Sequence, residues 1–169
     1  MTLGGTTIRE ATDADWPQIW PIVRDVVAAG DTYTYPADLD SELARGLWLE
    51  RPPGRTVVAV DDDGTVLGTA KMGPNRPGPG DHVGTASFMV AQAGRGRGLG
   101  RALGEYVVQW HRENGYRAIQ FNAVVESNTA AVRLWKSLGF TIVGTVPEAF
   151  RHPHDGYVGL HVMHLRLDG

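Results

Sequence analysis

Three glycines alternate with other residues in the segment 95–100, which reads Arg-Gly-Arg-Gly-Leu-Gly. Glycine allows a tight turn and lets a ligand approach the main-chain N–H groups. An apolar run at residues 88–90 precedes the turn. Apolar residues at helical spacing follow it: Leu99, Leu103, Tyr106, Val107 and Trp110. The pattern predicts a strand, a tight turn and a helix whose unpaired first-turn N–H groups and dipole favour an anion, phosphate above all.

Two common phosphate-binding motifs do not fit this segment. The dinucleotide fingerprint needs glycines at positions one, three and six, and the sixth position counted from Gly94 or Gly96 is Leu99 or Arg101. A P-loop needs Lys and then Ser or Thr after its last glycine, where this chain has Arg101 and Ala102. The segment therefore indicates a phosphate ligand of another kind.

The segment resembles the pyrophosphate-binding loop of the GCN5-related N-acetyltransferases, the GNAT superfamily. That loop has Gln or Arg, two residues, Gly, one residue, and then Gly or Ala. Arg95, Gly98 and Gly100 occupy these three places, and Val90 stands where the family's preceding strand usually ends. The resemblance implies a loop that binds the pyrophosphate of acetyl-CoA.

A second segment resembles the family's later motif and follows the first in the expected order. It begins with a strand-like run at residues 122–125, and Asn128 opens a helix. An aromatic residue, Trp135, stands seven places later, and residues 138–140 close the segment as Leu-Gly-Phe. The resemblance extends over most of the chain, roughly residues 5–167. More weakly, residues 121–128 and Trp135 resemble the branch that acetylates azetidine-2-carboxylate and related amino acids.

The resemblance implies direct transfer of an acetyl group from acetyl-CoA to an amine, with no metal. Main-chain groups at Met89 and Val90 would hold the pantetheine arm, and the amides of residues 95–101 would hold the pyrophosphate. The implied cofactor-binding residues are Met89, Val90, Arg95, Gly96, Arg97, Gly98, Gly100, Arg101, Asn128 and Trp135. Asn128 also suits a plain helix cap, and the two roles are compatible. Many members have a Tyr in place of Trp135, but an indole N–H has no proton to release near neutral pH.

Three residues are candidates for catalysis. Asn122 lies inside a predicted strand, where a polar amide is unfavourable unless it is paired or faces a cleft, so we expect it in the cleft. His82, with an ordinary pKa near ~6.5, could accept the amine proton, although a single His at a strand start is more often structural. Glu126 is the second candidate base, with Asp31, Tyr33 and Tyr35 behind it, and ordered water is an alternative.

The resemblance places the acceptor site at residues 31–36, where we expect Tyr33 and Tyr35 to bind substrate together with Asn122. A surface loop with two half-buried tyrosines is the alternative. The expected acceptor is the amine of a small molecule, in keeping with the amino-acid-like branch. Acetylation of a peptide or protein is one alternative function, and a non-catalytic acyl-CoA sensor is another.

The elements that must position these residues are predicted from periodicity. Strand–helix–strand order around the glycine turn predicts a parallel pair. The whole chain, residues 1–169, is expected to form a single GNAT domain of the α/β (α+β) class. It would contain a mixed sheet of six to seven strands flanked by about four helices, with residues 1–6 flexible. We also expect a break or kink at Pro21, a helix near residues 40–50 with Leu43, Leu47 and Trp48 on one face, and a loop at residues 147–156.

Composition excludes several classes of protein. The absence of cysteine excludes disulfides, thiolate metal sites and a Cys nucleophile. A net charge of −3 argues against a nucleic-acid partner. No apolar run long enough to span a membrane and no signal peptide are evident, so we expect a cytoplasmic protein. Histidines at 152, 154, 161 and 164 invite a metal site, but their loop and strand positions do not favour convergence. A homodimer is left open.

Overall fold

Hairpins and one helical crossover assemble a single mixed sheet in the computed structural model, which describes residues 2–167. The strands are β1 (Thr2–Leu3), β2 (Thr6–Glu10), β3 (Arg55–Asp61), β4 (Val66–Pro74), β5 (Val83–Val90), β6 (Ala118–Val125), β7 (Thr141–His152) and β8 (Gly156–Arg166). Their spatial order is β1-β2-β3-β4-β5-β6-β8-β7. Only β5 and β6 pair in parallel among these strands.

Four α-helices accompany the sheet. They are α1 (Trp16–Ala29), α2 (Ser41–Trp48), α3 (Leu99–Glu113) and α4 (Thr129–Ser137). The crossover through α3 joins the parallel strands β5 and β6, as the sequence predicts. Apart from the two-residue β1, the sheet has seven strands, so the predicted mixed sheet and four helices are confirmed.

The two faces of the sheet bury separate apolar clusters, because successive strand residues point to opposite faces. In β3, Val57 belongs to the cluster with α3 and α4, whereas its neighbour Val58 belongs to the cluster with α1 and α2. Each large apolar side chain buried in this way contributes about 1.5–3 kcal/mol. The helix pairs are thereby fixed on opposite sides of the strands that carry the predicted site.

The expected break at Pro21 is wrong, because α1 continues through this residue to Ala29. A proline inside a helix costs about 3 kcal/mol or more. The helix also buries Ile19, Ile22 and Val23 against the sheet, and three such side chains together contribute more than that cost. Packing therefore outweighs the local penalty.

The start of α1 is held by a buried carboxylate. Asp15 accepts two hydrogen bonds from the Arg9 guanidinium, at 2.7 and 2.8 Å, and one from the N–H of Thr12, at 2.7 Å. The Arg9 hydrogen bonds, with those of Thr12, outweigh the effect of burial and lower the pKa of Asp15 to about 2. This ion pair joins β2 to the helix that leads towards residues 31–36.

The predicted apolar face of α2 is wrong in part. Trp48 and Ala44 are buried, each 1% exposed, but Leu43 is 62% and Leu47 45% exposed. The Trp48 indole N–H donates to the Thr69 hydroxyl at 3.0 Å, which turns the face containing residues 44 and 48 towards β4. Leu43 and Leu47 consequently point away from the core.

The predicted loop at residues 147–156 is shorter than expected. Strand β7 continues to His152, and β8 begins at Gly156. The register between them shifts between Val146 and Phe150, where Glu148 has a φ of 52°. This irregularity accommodates Pro147, which cannot donate a ladder hydrogen bond, and Phe150 beyond it is buried.

The first residues pair with the next strand. The main chain of β1 pairs with residues 6 and 7 of β2, and Met1 lies outside the described residues. Flexibility of residues 1–6 stays a prediction. Within residues 2–167, none of the helices combines the length and apolar character needed to cross a membrane.

Candidate active site

The parallel strands β5 and β6 separate soon after they begin. Their ladder has two registered pairs, Val83 with Ala118 and Gly84 with Ile119. Beyond these pairs a cavity of about 690 Å³ opens between the strands. Its lining includes residues 85–90 of β5, residues 121–125 of β6, residues 31–35, and Arg95, Asn128 and Trp135. The cavity lies towards the carboxyl ends of the parallel strands, where open α/β sheets bind ligands.

The glycine turn lies at one end of this site, where Arg95 lines the cavity. Gly96 and Gly98 have left-handed φ angles of 74° and 76°, which favour glycine, and α3 begins at Leu99. The N–H of Ala102 bonds to the carbonyl of Gly98, so earlier first-turn amides lack helical partners. A Cβ built on Gly96 would meet no heavy atom within 4 Å. The turn therefore presents main-chain donors to open space, as an anion site requires.

The three arginines of the turn differ in their surroundings. Arg95 and Arg97 are both exposed, and Arg95 lines the cavity. The Arg101 guanidinium donates to the Ser137 hydroxyl at 2.6 Å and to Glu105 at 3.3 Å. The structure thus places Arg95 at the cavity and holds the Arg101 side chain against α4.

The cavity edge of β5 presents the main-chain groups of alternate residues. Phe88 donates its N–H to the Tyr33 hydroxyl at 2.9 Å, and that hydroxyl donates to the Phe88 carbonyl at 2.6 Å. Because antiparallel ladders alternate, Val90 faces the same edge, whereas Met89 directs its main-chain groups at Thr69 of β4. Of the two predicted main-chain positions, Val90 therefore fits and Met89 does not. Sequence reasoning missed Phe88, although alternation from Val90 could have identified it.

Residues 31–35 cover the other end of the cavity. Both predicted tyrosines line it, and their rings stack 5.8 Å apart at an interplanar angle of 8°. The rings of Tyr33 and Trp48 meet edge to face, with their centroids 6.4 Å apart. Burial raises the pKa of Tyr33 well above its ordinary value, so its hydroxyl stays protonated at neutral pH. Asp31 adds a carboxylate to the same segment.

Asn122 lines the cavity, as the sequence predicts, and is held by two other amides. Its Nδ2 donates to Asn75 Oδ1 at 2.7 Å, and Asn75 Nδ2 donates back at 3.3 Å. Gln120 also donates to Asn122 Oδ1, at 2.9 Å. A register shift between Phe121 and Val124 accompanies this geometry. Asn75 was missed because only the folded chain brings it to Asn122.

The structure does not bring His82 or Glu126 to this cavity. His82 lies just before β5, in a separate cavity of about 270 Å³ with Arg117 and His164. An eight-residue strand spans roughly 26 Å, so His82 is remote from the glycine turn at the other end of β5. The Glu126 carboxylate accepts the N–H of Gly159 in β8 at 2.8 Å. His82 lies outside the site because it precedes β5, at the opposite end of that strand from the glycine turn. Glu126 lies outside it because its carboxylate is bonded to β8.

Asn128 and Trp135 combine structural positions with access to the cavity. Asn128 Oδ1 accepts the N–H of Ala131 at 3.3 Å and so caps α4. Trp135 is 7% exposed and packs against Phe88 and Phe121, with ring centroids 4.6 and 5.0 Å away. Both residues also line the cavity, so ligand contact is compatible with the capping role of Asn128 and with the core packing of Trp135.

The histidines near the carboxyl end do not converge. His152 pairs with Asp155 at 3.1 Å, whereas His161 bonds to Thr145 at 2.7 Å. Across the part of the chain that the structure describes, no group of three or more His, Asp or Glu side chains is placed to hold a metal ion.

Comparison with known proteins identifies the family. The family model described as "Acetyltransferase (GNAT) family" matches residues 9–140, which include β5, the glycine turn and α4. The chain belongs to this family of acetyl-transferring enzymes.

Two curated relatives differ in how much of their length corresponds to this chain. N-acetyltransferase aca1 of Schizosaccharomyces pombe is 31% identical over 111 residues, which are 65% of this chain and 53% of that protein. The chain thus spans about half the length of that relative. The L-methionine sulfoximine/L-methionine sulfone acetyltransferase of Pseudomonas paraeruginosa is 33% identical over 168 residues, covering 96% of this chain and 95% of the relative.

Two solved structures resemble almost the entire chain. A GCN5-related N-acetyltransferase from Kribbella flavida is 62% identical, with a TM-score of 0.94, and the match covers 96% of this chain and 98% of that one. The protein yncA from Salmonella typhimurium, solved with its cofactor acetyl-CoA, is 28% identical with a TM-score of 0.81. That match covers 97% of this chain and 95% of yncA.

Proposed function

We propose that this protein transfers an acetyl group from acetyl-CoA directly to the amine of a small, amino-acid-like molecule. The observation that carries the proposal is the cavity between β5 and β6. Arg95, at the start of the open glycine turn, lines one end of it, and residues 31–35 line the other end. Two ligands that enter from these ends would meet beside Phe88, on the edge of β5 that β6 leaves unpaired.

The donor end fits acetyl-CoA. First-turn amides of α3 and the side chain of Arg95 would bind the pyrophosphate, and the free edge at Val90 would pair with the amides of the pantetheine arm. The space around Gly96 leaves room for the phosphates. The similar yncA structure, which holds acetyl-CoA, supports this donor.

The acceptor end fits a small cationic amine. Asp31 is the one carboxylate that lines the cavity among the described residues, and it would attract an ammonium group. Tyr33, Tyr35 and Asn122 add aromatic surface and amide groups that would orient the substrate. Support for an amino-acid-like acceptor comes from the Pseudomonas relative, whose name gives methionine sulfoximine and methionine sulfone as substrates.

In the proposed reaction the ammonium group first loses one proton, which leaves a neutral amine with a free electron pair. The amine nitrogen then forms a bond to the thioester carbon, and the carbon–sulfur bond breaks. The nitrogen loses its second proton, and the departing thiolate gains one. The Phe88 N–H would stabilise the carbonyl oxygen as its negative charge develops. Asp31 or ordered water would take the amine proton, because His82 and Glu126 lie outside the cavity. Since Trp135 has no proton to release, the thiolate would be protonated from the amine side or by water.

Thiol release from acetyl-CoA tests this function. The chain has no cysteine, so a thiol reagent reports CoA without background from the protein. The amine panel should contain methionine sulfoximine, methionine sulfone, free amino acids and short peptides. We expect turnover with a small amino-acid-like amine, and the acetylated product should be verified by mass spectrometry. Turnover restricted to peptides would contradict the small-molecule acceptor, and acetyl-CoA binding without turnover on any amine would favour a sensor.

A further inference from the structure

The Tyr33 hydroxyl already occupies the main-chain groups that the acyl group would need. It accepts the N–H of Phe88 at 2.9 Å and donates to the carbonyl of the same residue at 2.6 Å. Both groups lie on the edge of β5 that β6 leaves unpaired beyond Gly84. These two hydrogen bonds join residues 31–36 to β5, and the Tyr33 hydroxyl also interacts with the side chain of the neighbouring Ser87.

The two hydrogen bonds respond differently to an acyl donor. A thioester oxygen has lone pairs but no proton, so it can replace the hydroxyl at the Phe88 N–H and cannot replace it at the Phe88 carbonyl. The hydroxyl can therefore stay on the carbonyl through its own proton. Its oxygen, no longer bonded to the N–H, then has a lone pair available beside the thioester.

We propose that the thioester oxygen takes the Phe88 N–H from Tyr33, and that the hydroxyl, still bound to the Phe88 carbonyl, then accepts a hydrogen bond from the acceptor amine. The proposal rests on the function proposed above and gives Tyr33 a specific task within it. An amine N–H that donates to this oxygen is held next to the carbon that it must attack. Stacking on Tyr35 and the edge of Trp48 keeps the ring in place during the exchange.

The exchange predicts a difference between acetyl-CoA and CoA that requires no knowledge of the acceptor. Acetyl-CoA must displace the Tyr33 hydroxyl from the Phe88 N–H, whereas CoA has no acyl oxygen and displaces nothing there. In a Tyr33→Phe variant the competitor is absent. The ratio of acetyl-CoA affinity to CoA affinity should therefore rise by about threefold to tenfold, the equivalent of one hydrogen bond.

Titration calorimetry of the wild type, Tyr33→Phe and Tyr157→Phe with each ligand tests this inference. Tyr157→Phe is the matched control, because it removes the same hydroxyl from an exposed residue of β8 outside the cavity lining, and its affinity ratio should equal that of the wild type. An unchanged or lower ratio in Tyr33→Phe would overturn the exchange. If the wild type itself bound neither ligand, the proposed function would fail rather than the role of Tyr33.

The amine contact has its own readout. With the best amine from the panel, Tyr33→Phe should lower kcat/KM for that amine at least tenfold, although acetyl-CoA binds no more weakly than to the wild type. A merely structural role would lower both together, as residues 31–36 lost their connection to the sheet. Unchanged kcat/KM for the amine would remove Tyr33 from the acceptor site.

Discussion

The proposed donor and acceptor ends of the cavity are built by different means. The donor end uses the main chain, in the form of two left-handed glycines, the first turn of α3 and the edge of β5. The acceptor end uses side chains, such as the Asn75–Asn122 amide pair and the Tyr33 hydroxyl on Phe88. Main-chain donors suit a phosphate-bearing ligand common to many enzymes, and side chains can differ with the amine.

This difference predicts how each end responds to substitution. A main-chain site tolerates most changes except those that alter the backbone or fill the space above it. A side-chain site is sensitive to the loss of a single polar atom, and this loss should leave the other end of the cavity intact. Variants at the two ends should therefore separate acetyl-CoA affinity from acceptor kinetics.

The largest effect is expected for Gly98→Glu, which should abolish measurable acetyl-CoA binding. The substitution strains a φ of 76° and places a carboxylate where the pyrophosphate would bind. Gly115→Glu is the matched control, because Gly115 has a φ of 78° just beyond the other end of α3. Calorimetry should show binding to the control, and wild-type affinity in a folded Gly98→Glu protein would exclude the turn as the donor site.

Asn122→Ala should lower kcat at least tenfold and leave acetyl-CoA affinity within a few-fold, because we assign Asn122, which lines the cavity, to the proposed acceptor side. Asn75→Ala removes the partner amide but keeps Asn122, so steady-state kinetics should show a smaller loss. A large loss of acetyl-CoA affinity in Asn122→Ala would move this residue to the donor end. Kinetics equal to the wild type would make it a structural residue.

Trp135→Phe should retain substantial activity, because the indole donates no proton and the smaller ring preserves contact with Phe88 and Phe121. We expect a loss of roughly 1–3 kcal/mol in the free energy of unfolding from imperfect core packing. Denaturant unfolding and the pH profile of kcat provide the measurements. A thousandfold fall in kcat for a well-folded variant would show that the indole N–H acts in the transition state.

The smallest effect on the reaction is expected at Asp15, which supports α1 away from the cavity. Its lowered pKa stabilises the fold above the ordinary value of 3.8, and this stabilisation is lost as the pH falls towards about 2. Asp15→Asn should lower Tm at neutral pH, and the difference from the wild type should shrink between pH 4 and 2. A constant difference across that range would contradict the role of the Arg9–Asp15 pair.

The sequence predicts the donor end better than the acceptor end, for a physical reason. The turn depends on alternating glycines followed by a helix, so its signal lies in a few neighbouring residues. The pairs Tyr33–Phe88 and Asn75–Asn122 join residues 55 and 47 positions apart, and only the register of the sheet brings them together. His82 fails for a related reason. Its side chain could act as a base, but its position before β5 places it in a separate cavity.

Local patterns also fail where packing decides between alternatives. Leu43 and Leu47 have the spacing of a buried helix face, but the hydrogen bond between Trp48 and Thr69 turns a neighbouring face inward. A proline such as Pro21 is typical of a helix break, but the burial of α1 outweighs this local preference. In both cases the competing interaction comes from another part of the chain.

Amide NMR of the isotope-labelled protein during titration with acetyl-CoA tests the central claim most directly. The claim is that main-chain groups of the glycine turn and of β5 bind acetyl-CoA. The resonances of residues 96–101 and of Phe88 should therefore shift most, and those around His82 should not. Saturable shifts that spare the glycine turn and Phe88, or the absence of any shift, would contradict this account.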